Sequence, residues 1–191
     1  MLLRTFVTAR DQVMLYVPGG ASNSARGLTL PEMLIRMTIL AILLSIAAPA
    51  MKNIIADRRV AAIAQQVYGS VVLARSEAVK RRIPVSLCRT EDGNTCSDVS
   101  GGWESGWLIF EDINDNGEID GDDQLIRVYG AVTELVELDW NNGISLGFNN
   151  KGHARKSGRF TLCEGTTGGH ESREVVLSLT GRTRVEESGS C

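Results

Sequence analysis

The spacing of apolar positions changes twice along the chain. Residues 33–51 read MLIRMTILAILLSIAAPAM, apolar on every face of a helix, with Arg36 the one charge. The charge-free part, residues 37–51, is a little shorter than the ~20 residues that cross a bilayer. The segment spans once Arg36 snorkels toward the headgroups. A buried core helix is the competing reading, but no other segment is rich enough to cover such a helix on all sides. Beyond Pro49 the apolar residues Val60, Ile63, Ala64, Val67, Val71, Ala74 and Ala78 recur at three- and four-residue steps, one face of an amphipathic helix. Glu77 and Arg81 form an i,i+4 pair, and Pro84 ends the pattern. One helix is therefore predicted over 30–82, with Pro49 the place for a bend. After Pro84 the period shortens to two. Short β-rich runs lie at 85–88, 107–110, 124–129, 135–140, 144–148, 159–163 and 174–179. Turn signals such as Asn142-Gly143, Lys151-Gly152 and Thr180-Gly181 separate some of them. A long N-terminal helix followed by antiparallel strands is an α+β fold.

Charge changes the picture only locally. The 191 residues carry a formal net charge of -3, which rules out an overall basic coat for nucleic acid. Between Glu91 and Asp139 the one basic residue is Arg127. The stretch 151–184 instead holds Lys151, Arg155, Lys156, Arg159, Arg173, Arg182 and Arg184 against three glutamates. Catalysis finds little support. His153 and His170 sit in polar, glycine-rich stretches without ligand spacing, Ser76 and Ser86 have no His–Asp context, and no phosphate-binding glycine motif occurs. The chain reads as a non-enzyme.

Residues 1–27 hold Arg4, Arg10 and Arg26 against Asp11. A basic flank before an apolar run predicts an N-terminus inside the cell and the remainder outside. That flank ends in Arg26-Gly27-Leu28-Thr29-Leu30-Pro31-Glu32, directly before the apolar helix. This sequence resembles the type III signal of type IV prepilins and pseudopilins. The resemblance implies cleavage between Gly27 and Leu28 by a membrane peptidase on the cytoplasmic side. It also implies N-methylation of Leu28 and retention of the apolar helix. Glu32 falls at the family's acidic fifth mature position, where it would neutralise the α-amine of a neighbouring subunit and guide assembly. Pro49 matches a proline common in pilin helices. Pro31 and Arg36 depart from the family pattern, and the leader is long for the family unless translation begins at Met14.

The second half resembles the GspH/FimT group of minor pilins and pseudopilins. The matching stretches are LARSEAVKRRIPVSLC, WESGWLIFEDINDNGEIDGDDQLIR, ISLGFNNKG, RFTLC and LSLTGRTR. Together the two resemblances imply a type IV pilin-like fold: a long N-terminal helix, transmembrane in its first half, packed on an antiparallel β-sheet domain. The expected organisation is a leader over 1–27, a transmembrane half-helix over 28–51, an amphipathic half over 52–82, and a periplasmic β-rich domain over 83–191. The expected protein is a bacterial inner-membrane, single-pass subunit that moves into a filament tip. It would prime or cap assembly of a type IV pilus. The alternatives are a type II secretion pseudopilin for export of folded proteins, and a DNA-binding minor pilin for natural transformation. Its partners would be other major and minor pilins through the helix, the prepilin peptidase and methylase, the membrane, and in the last case DNA.

Three constellations remain. All four cysteines would lie in an oxidising compartment. Of three possible pairings the favoured one joins Cys88 to Cys96, closing the polar loop RTEDGNT, and Cys163 to Cys191 at the C-terminus. Asp112, Asn114, Asn116, Asp120 and Asp123 follow the ligand spacing of an EF-hand loop with Gly117 at its sharp turn, a candidate Ca²⁺ site. Its rival is an acidic hairpin loop whose Asn and Asp side chains make turns. No cofactor is otherwise expected. Arg182 and Arg184 form a basic GRxR loop that binds DNA in some members of the resembled family. The alternative is a turn whose arginines pair with the acidic middle segment, and Glu186 and Glu187 would blunt the patch.

Overall fold

The computed structural model describes residues 29–98, 102–133, 135–164 and 172–188. The chain divides into two compact units, residues 1–43 and 44–191. In the first, helix α1 (Leu30–Arg81) begins with the backbone bond from Met33 N–H to the Thr29 carbonyl at 3.1 Å. Leu34, Ile35, Met37, Ile39, Leu40, Ile42 and Leu43 are all exposed. The 18-residue window Leu30–Ala47 averages 1.8 in hydropathy, and none of it is buried within the chain.

In the second unit, Val60, Ile63, Ala64, Val67, Val71, Ala74 and Ala78 of α1 are buried, the stripe the spacing predicts, and Ala56 one turn earlier is buried too. The helix stops at Arg81 because Arg82 adopts a left-handed backbone with φ of 61°, while its N–H still reaches the Ala78 carbonyl at 3.0 Å. Arg82 is thus outside the helix, one residue short of the predicted end. The chain then leaves through Pro84, which offers no N–H and disfavours helix in Ile83.

Eight strands follow: β1 (Val85–Arg89), β2 (Trp107–Glu111), β3 (Leu125–Tyr129), β4 (Val136–Trp140), β5 (Ser145–Phe148), β6 (Gly158–Glu164), β7 (Ser172–Leu177) and β8 (Thr183–Ser188). They form two four-stranded sheets, ordered β3-β2-β1-β5 and β4-β6-β7-β8, with every pair antiparallel. Seven strands match the predicted runs to within about two residues. The eighth, β8, is new. Thr183 and Val185 are half-buried while Arg184 and Glu186 are exposed. With a single apolar side chain and charged neighbours at a sheet edge, the segment carries almost no hydrophobic signal.

Both sheets share one core with α1. Val85, Leu87, Trp107, Ile109, Leu146 and Phe148 enter from the first sheet, and Val136, Leu138, Trp140, Phe160, Leu162, Val175 and Leu177 from the second. The Trp107 indole N–H donates to Ser70 Oγ on α1 at 3.0 Å, and its ring stacks on Tyr129 with centroids 5.1 Å apart. Strand β2 is buried along its whole length, because the first sheet is covered on both faces. The residues of opposite parity, Cys88, Leu108 and Phe110, form a smaller cluster with Cys96 and Ile119 against it. Two loops therefore roof the outer face: the disulfide loop through Cys96, and the acidic loop through Ile119.

Candidate functional site

The residues flanking the implied cut, Gly27 and Leu28, lie outside the described residues. Glu32 stands in the first turn of α1 and pairs with Arg36 four residues on. Both remain substantially exposed, with 44% and 58% of their side-chain surface free. Most of the side chains around them along the helix are apolar and exposed.

The acidic loop is organised around Asp112, whose residue is fully buried. Its Oδ1 accepts the Asn116 N–H at 2.9 Å, and its Oδ2 the Gly117 N–H at 2.9 Å. The same Oδ2 accepts the Ser86 hydroxyl at 2.5 Å and Arg155 Nη2 at 2.8 Å. Arg155 Nη1 also meets the Asp115 carboxylate at 2.8 Å. Gly117 has φ of +84°, and a Cβ there would lie 2.7 Å from Ser145 Oγ, so the turn needs glycine. On the far side, Asn116 donates to Asp120 at 2.8 Å, and Asp123 Oδ1 accepts the Ile113 N–H at 2.9 Å. The structure thus brings together all five of Asp112, Asn114, Asn116, Asp120 and Asp123. It joins them through turn hydrogen bonds, and the positive charge facing Asp112 is the Arg155 guanidinium. Among the described residues, no three His, Cys, Asp or Glu side chains gather as metal ligands.

The basic positions separate. Arg155 serves the acidic loop, Arg159 pairs with Glu174 at 3.0 Å, Arg173 with Glu187 at 3.1 Å, and Arg184 with Glu186 on the same strand face. Arg182 is exposed in the turn between β7 and β8. The glycine of the GRxR loop has a packing reason. At Gly181, with φ of +77°, a Cβ would meet the Gly152 carbonyl at 2.2 Å. Arg75 on α1 seals this meeting of two turns, donating to the carbonyls of Gly152 at 3.0 Å and Thr180 at 3.3 Å. Sequence reading did not single out Arg75, and missed that Arg155 is the ion partner of the acidic loop. Each is one arginine among many, with no local pattern to mark it.

Cys88 and Cys96 are joined, as favoured. Cys163 is disulfide-bonded too, and Cys191, its expected partner, lies outside the described residues. Inside the first disulfide loop, Asp92 accepts the N–H groups of Asn94 and Thr95, each at 2.8 Å, and the Thr95 hydroxyl at 2.9 Å. These donors, the Asn94 N–H foremost, hold its carboxyl well below the usual carboxylate range. A value depressed by folding contributes stability above the unfolded value of about 4 and loses it as pH falls through the folded value. Amide exchange at Asn94 and Thr95 is therefore expected to accelerate below about pH 3 relative to the intrinsic rate, measured against Asp92→Ala. A variant with the same protection at pH 6 would remove this account.

The profile described as Type II transport protein GspH matches residues 64–181. The chain belongs to the GspH family. The prokaryotic N-terminal methylation motif matches residues 22–48, spanning Gly27, Leu28, Glu32 and Arg36. The pilin-like protein PilA1 of Thermus thermophilus is 30% identical over 174 residues, covering 84% of this chain and 98% of the relative. Among solved structures, the type IV minor pilin FimU of Pseudomonas aeruginosa superposes with a TM-score of 0.54 at 21% identity, covering 71% of this chain and 96% of FimU. The minor pseudopilin EpsH of Vibrio cholerae gives 0.48 at 14% identity, over 67% of this chain and 96% of EpsH. This chain is accordingly a GspH-family protein that carries the N-terminal methylation motif, with an α+β fold like that of FimU.

Proposed function

We propose that this subunit resides in the inner membrane as a single-pass protein, N-terminus in the cytoplasm and β domain in the periplasm, and primes type IV pilus assembly from the filament tip. The observation that carries the reading is the apolar window Leu30–Ala47, wholly unburied within the chain, joined to a domain with a complete core of its own. Such a helix needs lipid or other helices around it. Prepilin peptidase cuts between Gly27 and Leu28, the methylase acts on Leu28, and the helix then packs beside those of other pilins. Glu32 is the assembly residue, because a carboxylate among hydrocarbon is costly unless paired, and the α-amine freed at Leu28 of a neighbour is a cation at the right depth.

A clean deletion is expected to abolish surface pili, scored as major pilin in the sheared fraction, and complementation to restore them. Normal piliation together with loss of exported proteins would assign the subunit to type II secretion, the second reading, which the family description favours. The DNA reading rests on Arg182 and Arg184, and the pairing of Arg184 with Glu186 leaves it less charge than the sequence offers.

A further inference from the structure

We infer that the turns of α1 just beyond the apolar run, together with the start of β7, bind a phospholipid headgroup that carries a primary amine, that of phosphatidylethanolamine. The inference rests on the membrane residence proposed above for the presence of the lipid, and on the second unit alone for the site.

Ile54, Asp57, Arg58 and Ala61 of α1 and Arg173 of β7 line a cleft of about 380 Å³ within the second unit. The helix positions follow i, i+3, i+4 and i+7, so they share one face. Arg173 arrives by register. It continues the row of Val175 and Leu177, both buried in the core, and stands opposite Leu162 on β6 and Glu187 on β8. The inward row of β7 is thus apolar until its end, where it presents a guanidinium. That guanidinium is under-used. It keeps only 20% of its side-chain surface exposed, and its Nη1 meets Glu187 at 3.1 Å, an acid that is itself 74% exposed. Its Nε is buried without a hydrogen-bond partner, a need that native folds seldom leave unmet. Arg58 is exposed and has no ion partner among the described residues.

Guanidinium groups meet phosphate oxygens in paired, charge-assisted hydrogen bonds. Asp57 supplies the one carboxylate of the lining, an acceptor for an ammonium. Two cations and one anion in a single cleft match a phosphate ester with an amine beside it better than they match a lone anion. Ile54 adds exposed apolar surface, suited to the glycerol and acyl carbons. The height is right as well. The apolar run ends at Met51, and at ~1.5 Å per residue Ile54 and Arg58 stand about 5 and 10 Å beyond it along the helix. That is the depth of the headgroup layer, within reach of an arginine that can bend back toward the bilayer. Basic pockets beside spanning helices are where lipid headgroups bind. Such a site seats the β domain on the periplasmic leaflet until the helix leaves the membrane.

The test is native mass spectrometry of the full-length chain released from a mild detergent. Dioleoyl phosphatidylethanolamine, phosphatidylglycerol or phosphatidylcholine is added at equal concentration. The wild type is expected to retain phosphatidylethanolamine at least about fivefold over phosphatidylcholine, whose quaternary amine offers Asp57 no N–H. Arg58→Gln, an exposed change that leaves the core untouched, is expected to lower the adduct about tenfold, the loss of one charged hydrogen-bonding group. Arg173→Gln should lower it by a similar factor. Asp57→Asn should keep the lipid but lose the preference for phosphatidylethanolamine over phosphatidylcholine. Equal retention of those two lipids by the wild type, or stronger retention of phosphatidylglycerol, would overturn the inference. So would a wild-type adduct on Arg58→Gln, or displacement of the lipid by millimolar inorganic phosphate, the behaviour of a free-anion site. Location is scored separately by cell fractionation. A chain that selects phosphatidylethanolamine in detergent but is recovered in the soluble fraction would defeat the membrane reading and leave the headgroup site standing.

Discussion

Replacing Asp112 by alanine is expected to lower the stability of the β-rich unit by about 3–5 kcal/mol, the cost of removing one partner from a buried ion pair. The carboxylate is fully enclosed, and Arg155 keeps only 23% of its side-chain surface exposed. With Asp112 gone, Arg155 Nη2 keeps only the Ser86 hydroxyl, the Asn116 N–H keeps only the longer contact to Asn114 Oδ1, and the Gly117 N–H loses its acceptor. The loop then has little to hold Ile119 on the outer cluster of Cys88, Leu108 and Phe110. Against a total of about 5–15 kcal/mol for an ordinary domain, this loss lowers the melting temperature on the order of 10 °C. Thermal unfolding of the detergent-solubilised full chain measures it. Asp112→Asn keeps an oxygen for the backbone donors but not the charge, and should fall between the wild type and Asp112→Ala. An alanine variant that melts with the wild type would mean that the loop is held by Asp120 and Asp123 instead.

Glu32→Ala should leave the domain folded and the cut at Gly27 intact, yet lower incorporation into filaments on the order of tenfold or more. The domain core draws nothing from this segment, so stability is not at issue. In the proposed order processing precedes assembly, so the N-terminus found by mass spectrometry should be unchanged, beginning with methylated Leu28. What disappears is the charge available to a neighbour's amine in hydrocarbon, where an ion pair is worth far more than at a wet surface. The fall is read as subunit in the sheared fraction relative to subunit in the membrane. Wild-type incorporation of Glu32→Ala would sink the assembly role.

The two ends of the chain were unequally legible. The buried stripe of α1 could be read residue by residue, because a helix on a sheet repeats its contacts every 3.6 residues and leaves that period in the sequence. The strands were readable for the same reason at a period of two, except β8, whose inward side offers Val185 as its one apolar contact. The two-sheet arrangement was not readable. Strand β1 pairs with both β2 and β5, and nothing local to Ser145–Phe148 announces a partner some sixty residues upstream. The acidic loop was visible as a cluster, and its spacing admitted both a cation site and a set of turns. What faces Asp112 is Arg155, 43 residues away.

The sequence by itself determined the apolar N-terminal helix, the family and the α+β class. These are properties of contiguous residues, set by periodicity, charge order and short motifs. Only the tertiary structure decided how the strands divide between two sheets, that Gly181 is a packing glycine under Arg75, and which arginine neutralises the buried carboxylate. Those outcomes depend on groups brought together across the fold, and in a chain with 20 basic residues burial and distance alone select the one that meets Asp112.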